Sequence, residues 1–426
     1  MNLLLATAPT VVFNPTLHYR YTDVGEVLGY LQRERPDWRF RFLDGLVVPV
    51  ESAILREIVQ GVDGLVLFSD VATAPATRRL ATLANQLVAD LPILVYGKGP
   101  LRIPAYFQRP PFTACHVDGD QEHAILSYFD ALNGDGHPEG VVQVGGPPAY
   151  PGRRLGSALW GWADLEALPL ESYRNLAILK KIPFELSIYP SKGCHRGCHY
   201  CDAPRHEGDV DRRRLPDALV AWTTEAVRRY RFDCVQLHST DLAADPEWLK
   251  EFARAFVKAG SPFPWTCCVH GNTLTESHMD LMAASGCQRI GLGVESLIFQ
   301  SNRGFKVSRR RLSQLASYAR MRGLRLKGYI MAGLPGQTEY DLLDTYLFCL
   351  DQGIEPRVST YTPFQELEGL DVSVLDQMDL ERWDRKSFLV ESQAMPVSTV
   401  IRMLVRPPDV EDWARERLAE LTRRTG

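Results

Sequence analysis

Tyr189-Pro-Ser-Lys-Gly-Cys194-His-Arg-Gly-Cys198-His-Tyr-Cys201-Asp-Ala-Pro204 is the stretch on which the reading of the whole chain turns. It spaces three cysteines as C-x3-C-x2-C. Thiols four and three residues apart would share a helix face. Pro190, Gly193, Gly197 and Pro204 break a helix, however, and describe a tight, exposed loop. A loop that turns three sulfurs inward around one point is a soft-metal site. Three cysteines can hold three irons of a [4Fe–4S] cluster and leave the fourth open, as a catalytic zinc keeps one position free. Two plainer readings stay open at this point. One is a structural zinc completed by His195, His199 or His206, and the other is three incidental cysteines.

Working outward, the 426 residues allow two or three domains around a large core. With 45% hydrophobic and 23% charged residues, the composition is that of a soluble globular protein. A net charge of −4 gives no nucleic-acid signal, and Arg212-Arg213-Arg214 and Arg309-Arg310-Arg311 read as solvated faces. No apolar run approaches the ~20 residues of a membrane span. The start, Met1-Asn-Leu-Leu-Leu-Ala-Thr, fits a first strand better than a signal peptide. Nine cysteines, an odd count, point to a reducing cytoplasm. Cys115, Cys234, Cys267, Cys268, Cys287 and Cys349 lie in apolar segments and read as core.

Residues 1–140 alternate short apolar strands (2–6, 38–43, 64–68, 92–96, 113–117) with helical patterns (21–33, 51–59, 75–89, 121–132). That alternation predicts a doubly wound parallel sheet, whose ligands bind at the carboxyl ends of the strands. Those ends include Thr7–Pro15, Ser69–Thr73 and Gly97–Arg102. No G-x-G-x-x-G lies there, which disfavours a dinucleotide. Residues 141–180 carry Gly-Gly-Pro-Pro and few periodic signals, and read as a wrapping linker. A second series begins at Pro183. Its strands fall at 184–189, 233–238, 265–269, 289–293, 326–332 and 356–361, with helices between them. Six such units predict a partial (β/α) barrel with its functional residues at the strand carboxyl ends. The first strand delivers the cysteine loop there. Helical stretches at 371–378 and 410–421 follow, and this tail is expected to close the barrel's open side, with Trp383, Phe388 and Met395 as pocket candidates.

The cysteine spacing with aromatic Tyr200 resembles the signature of the radical S-adenosylmethionine (SAM) superfamily. The resemblance implies that Cys194, Cys198 and Cys201 hold a [4Fe–4S] cluster whose open iron binds SAM, which is then cleaved to methionine and a 5′-deoxyadenosyl radical. It extends to the strand ends. Gly293-Val-Glu295-Ser296 is similar to the G-x-E-S segment that touches SAM, and Gly333-Leu334-Pro335-Gly336 to the turn that approaches the adenine. Ser239 and Asp241, and His270 and Asn272, stand where relatives contact the SAM amino group, ribose or carboxylate. A buried acid at a strand end is costly without a partner, which itself suggests a ligand at Glu295; a salt bridge to Arg289 or Arg303 is the plainer alternative.

Position and pattern make residues 1–140 resemble the cobalamin-binding domain that precedes the barrel in cobalamin-dependent radical SAM enzymes. Asp-x-His-x-x-Gly, which supplies a histidine below cobalt elsewhere, is absent, so no histidine is expected there. Thr10, Ser69, Gly97 and Gly99 are the candidate contacts. The expected fold is therefore α/β: a Rossmann-like, doubly wound unit (1–140), a linker (141–180), a partial (β/α)6 TIM barrel (181–370) and a helical extension (371–426). The resemblance implies a cobalamin-dependent C-methyltransferase acting on a small molecule and fed by an electron donor such as flavodoxin or ferredoxin. A corrinoid-independent radical isomerase, epimerase or lyase, and a non-catalytic iron–sulfur or zinc protein, are the alternatives.

Overall fold

The computed structural model describes residues 1–9, 20–198, 200–297, 307–385, 388 and 394–425. Its first sheet comprises β1 (Asn2–Thr7), β2 (Arg39–Asp44), β3 (Gly64–Phe68), β4 (Ile93–Tyr96), β5 (Ala114–His116) and β6 (Val141–Gln143), in the order 2-1-3-4-5-6. All pairs are parallel except β6 on β5. Leu3 to Leu5, Leu65 to Leu67 and Ile93 to Val95 are fully buried on both faces, as strands covered by helices on both sides must be. The strand order reverses between β1 and β3, which opens a ligand crevice at their carboxyl ends.

The second half follows with β7 (Glu185–Ile188), β8 (Ser191–Lys192), β9 (Arg212–Arg213), β10 (Cys234–Leu237), β11 (Trp265–Val269), β12 (Cys287–Glu295), β13 (Arg325–Ala332) and β14 (Glu355–Thr360). Strands β7 and β10 to β14 form an all-parallel sheet whose spatial order follows the chain. Each crossover returns through a helix, so every carboxyl end faces one rim. β8 and β9 make a separate antiparallel ribbon that frames the cysteine loop.

Most expected elements appear within two residues of their expected ends, and the departures are informative. The helix expected from Tyr21 opens as a wide turn over Tyr21–Gly25 and becomes α-helical over Glu26–Glu34. Residues 141–180 are more than a linker. They add edge strand β6 and a helix over Leu170–Leu179, and they bury Leu155, Trp160 and Tyr173. Only Val372–Leu375 of the expected 371–378 helix is helical, whereas Val397–Val405 forms an unanticipated one.

The tail also takes a different course from the expected one. Leu367, Leu375 and Leu380 are buried in the same core as Val50, Ile54 and Leu80 of the first unit, with Met378 and Trp383 beside them. Arg109 donates to Asp376 at 2.6 Å, and Arg79 lies 3.7 Å from Glu381. Residues 364–383 thus form a strap that returns from β14 to the first sheet, because their leucines fit the apolar faces of its helices. Phe388 packs at a tilt against Trp383, with ring centroids 4.7 Å apart. Met395 is a core residue, 2% exposed.

Candidate functional site

The ribbon holds the ends of the cysteine loop together, and local chemistry shapes the rest. Gly193 adopts φ +102°, and a Cβ there would sit 1.9 Å from the Val210 carbonyl oxygen, so only glycine fits. Cys194 N–H donates to Gly208 O and Cys201 N–H to Cys198 O, both at 3.0 Å. The Thr240 hydroxyl donates to Gly193 O at 3.2 Å. Cys198 and Cys201 pack against buried Tyr200, Met331 and Leu334 and half-buried Tyr361, which brings the loop against the end of β13. All three thiols are free and partly exposed. Burial pushes the Cys194 thiol up, and Cys201 and Cys198 add to that shift. Three soft sulfur donors beside an apolar wall are a donor set that suits a cationic iron–sulfur core. They are not drawn onto a single point: among the described residues, no group of three His, Cys, Asp or Glu side chains is gathered closely enough to hold one ion. His195 points to solvent, His206 turns into the interior cleft, and His199 lies outside the described residues.

The rim of the second sheet carries the remaining expected residues. Ser239 shares a hydrogen bond with Ser191 at 2.8 Å and accepts from Asp241 N–H. The buried Asp241 carboxylate accepts from His270 N–H at 3.1 Å, from the Thr273 hydroxyl at 2.8 Å and from Arg196 of the cysteine loop at 3.2 Å. It ties the ends of β10 and β11 to that loop. His270 is buried and its Nδ1 accepts from Asn272 N–H, while the Asn272 side chain is exposed.

Glu295 and Ser296 are each 6% exposed. Glu295 sits at φ +56° where the register of β12 on β13 shifts, a conformation that non-glycine residues adopt only under constraint. Arg289 lies 4.0 Å from Glu185, and Arg303 is outside the described residues. The Gly333 turn, at φ +87°, is closed by a residue that sequence reasoning missed. The buried Gln337 side chain accepts from Gly333 N–H and Leu334 N–H and donates to Met331 O. Pro335 is exposed at the tip. Thr338 and Asp341 then cap the following helix reciprocally.

A narrow cleft of about 40 Å³ runs between the two sheets, with Phe68, Gly97 and Lys98 on one side and Tyr189, Lys192 and His206 on the other. Of the contacts expected on the first sheet, Gly97 lines this cleft. A Cβ on Gly97 would meet Ser69 O at 2.7 Å, and one on Gly99 would meet Asp70 O at 2.9 Å, so both glycines are required by the close approach of neighbouring strand ends. The Ser69 hydroxyl is engaged inside its own turn with Asp70 O and Thr77. Thr10 lies outside the described residues. His116, 1% exposed, is pushed down to about 4 by burial.

Behind the cleft, the Lys192 ammonium lies 3.1 Å from Glu122 and 3.5 Å from Glu26, over the rings of Trp160 and Tyr189. Burial opposes its charge, but Glu122 and Glu26 outweigh that and raise its pKa. Arg214 reaches the same Glu26 at 3.2 Å, and Arg212 clasps Asp120 at 2.6 and 3.0 Å. Both feet of the ribbon are thereby anchored on helices of the first sheet. Nothing in the sequence near Glu26 announced a partner 166 positions away.

Residues 188–349 match the family described as the radical SAM superfamily. Among curated proteins, the chain is 22% identical over 243 residues to cytidylyl-2-hydroxyethylphosphonate methyltransferase of Streptomyces wedmorensis, covering 55% of this chain and 43% of that one. It is 26% identical over 192 residues to bacteriochlorophyllide d C-12(1)-methyltransferase of Chlorobaculum tepidum, covering 43% and 42%. The matches thus span less than half the length of these relatives. Among solved structures, the radical SAM methyltransferase TsrM of Kitasatospora setae, bound to tryptophan and a SAM analogue, superposes with a TM-score of 0.68 at 15% identity, covering 85% of this chain and 75% of that one. OxsB, a cobalamin-dependent radical SAM enzyme bound to aqua-cobalamin and SAM, gives 0.64 at 15% identity, covering 95% and 61%. At such identity the likeness is one of fold. With the cysteine loop at the end of its first strand, the segment over residues 188–349 carries a radical SAM domain.

Proposed function

We propose that the protein is a cobalamin-dependent C-methyltransferase that uses radical SAM chemistry on a small molecule. The observation that carries this reading is the cleft between the two sheets. It is lined by residues flanking the cysteines (Tyr189, Lys192, His206 and Glu207) on one wall and by the carboxyl ends of β3, β4 and β5 (Phe68, Gly97 and His116) on the other. When bound, a [4Fe–4S] cluster with SAM supplies a hydrogen-abstracting radical, and a corrinoid supplies a methyl group. The chain's own part is to hold, orient and exclude water. Cys194, Cys198 and Cys201 are the residues to hold the cluster. Glu295, Ser296 and the Gln337-braced turn would hold SAM, with Asp241 fixing the adjoining backbone. Tyr200, Met331 and Leu334 give the loop a dry wall, which strengthens polar contacts nearby. Phe68, Gly97 and Tyr189 line the cleft.

The test is the visible spectrum of protein purified without oxygen, with and without added cobalamin, followed by product analysis with SAM and a reductant. Both S-adenosylhomocysteine and 5′-deoxyadenosine should form, and the cluster absorption should vanish when all three cysteines become alanine. If only 5′-deoxyadenosine forms and no cobalamin is retained, the enzyme is a corrinoid-independent radical catalyst and the first sheet is a scaffold.

A further inference from the structure

The cysteine loop is seated at its front by Lys192. Directly behind its third cysteine lies a second group of charges, which the proposed chemistry leaves unused. Arg102 ends the short helix Lys98–Arg102 that follows the Gly97 turn of the first unit, and it is 4% exposed. Its guanidinium is ion-paired with Asp202, the residue after Cys201, and with Glu368 of the strap. Arg205 closes the ring, 2.8 Å from Glu368, and its Nε donates to Leu101 O at 2.8 Å. Three separate parts of the molecule thus meet one residue away from the third cysteine.

Asp202 is 8% exposed, and its carboxylate does not cap the helix that begins at Ala203. A carboxylate so buried is costly unless a cation meets it, and Arg102 is a cation that does. Burial, with Arg205 adding to it, lowers the pKa of the guanidinium, whereas Glu368 and then Cys201 favour its charge. The third thiol therefore lies within electrostatic reach of Arg102. A planar guanidinium offers five donors in a fixed fork and can hold two carboxylates at once, where an ammonium is a point charge.

We propose that Arg102 is a positioning residue for the third cluster ligand: it holds Asp202, and with it the chain at Cys201, while Glu368 of the strap holds Arg102. The inference rests on the reading of Cys194, Cys198 and Cys201 as the ligands of a [4Fe–4S] cluster. It adds a residue of the first unit and one of the strap to that site. The arrangement has an electrostatic signature. With Arg102 gone, Asp202 is an uncompensated negative charge beside the cluster and opposes the electron that the cluster takes up. With Asp202 neutralised, Arg102 favours that electron. The two changes act in opposite directions.

The experiment is an anaerobic potentiometric titration of the full, reconstituted chain. Titanium(III) citrate supplies the electron, and electron paramagnetic resonance reads the reduced cluster. It compares the unaltered protein with Arg102→Met, Arg102→Lys, Asp202→Asn, the double variant Arg102→Met/Asp202→Asn, and Arg109→Met, which breaks a different tie of the strap, to Asp376. At a fixed applied potential, Arg102→Met should lower the ratio of reduced to oxidised cluster about tenfold or more, which is about 59 mV in the midpoint of a one-electron couple. Arg102→Lys should recover part of that loss. Asp202→Asn should raise the ratio, and the double variant should return close to the unaltered value. Arg109→Met should leave ratio and spectrum as they were even where it lowers stability. If Arg102→Met does not fold, Asp202→Asn decides alone. The proposal is overturned if Asp202→Asn leaves the potential in place, if Arg102→Met and Asp202→Asn move it the same way, or if Arg109→Met matches Arg102→Met. A chain that takes up no iron overturns the cluster reading along with it, whereas a normal cluster indifferent to these substitutions overturns this proposal alone.

Discussion

At the scale of single residues, Glu295 separates a structural role from a binding one. Its φ of +56° costs on the order of 1–3 kcal/mol for a side chain with a Cβ. Glu295→Gly removes both the strain and the carboxylate. The expected outcome is unchanged or higher thermal stability, together with SAM affinity reduced about tenfold or more, the scale of a charge-assisted contact. Calorimetry and thermal melts on the reconstituted protein decide it, and lower stability with intact affinity would make Glu295 structural. His116 gives a pH signature. Its folded pKa of about 4 lies below the ordinary value of 6.5. Between those values the unfolded chain takes up a proton that the folded chain refuses. Stability attributable to this residue therefore falls as pH drops from about 6.5 towards 4 and is flat above and below, by about 3 kcal/mol in all. Denaturant midpoints across that range should show a shallower slope in His116→Gln. An identical slope would place the acid sensitivity elsewhere.

At the scale of elements, the turn after β13 is expected to fail as a unit. Gln337→Ala strips three hydrogen bonds from a buried bracket and leaves the backbone of Met331, Gly333 and Leu334 unsatisfied. A loss of about 2–4 kcal/mol in unfolding free energy, with weaker SAM binding at full iron content, is the expected outcome. Unchanged SAM affinity would show that the turn holds its shape without the bracket. Legibility from sequence also divides at this scale. The strands and their helices were readable because continuous apolar runs and 3.6-residue periodicity are local properties, and Trp265–Val269 and Gln121–Leu132 match the expected bounds to the residue. Gln337 was invisible, since a glutamine directly after a glycine turn reads as surface until its amide is seen folded back. The strap was misjudged for a related reason: Leu367, Leu375 and Leu380 signal burial but not the face that receives them. Similarly, Gly97 and Gly99 are read from sequence as ligand contacts, and only the structure shows a neighbouring strand end approaching them.

At the scale of the whole molecule, the two sheets are joined through charge. Lys192→Met would leave Glu26 and Glu122 buried without their ammonium, at a cost of about 3–5 kcal/mol. Because β8 starts the cysteine loop, iron content per chain should fall along with stability, and Lys192→Arg should recover part of both. Full iron content in Lys192→Met would show that the loop is seated without the first unit. The same clamp has a consequence for the order of events in a cell. Glu26, Asp120 and Glu122 belong to helices that leave the ribosome well before Lys192, Arg212 and Arg214, and domains fold as they emerge. The carboxylates are in place when the cysteines appear, so the first unit acts as a jig for the nascent metal loop. A fragment beginning near residue 183 would have to bury or hydrate those cations unaided. It should emerge from synthesis as a poor acceptor of iron, even though every cysteine is present.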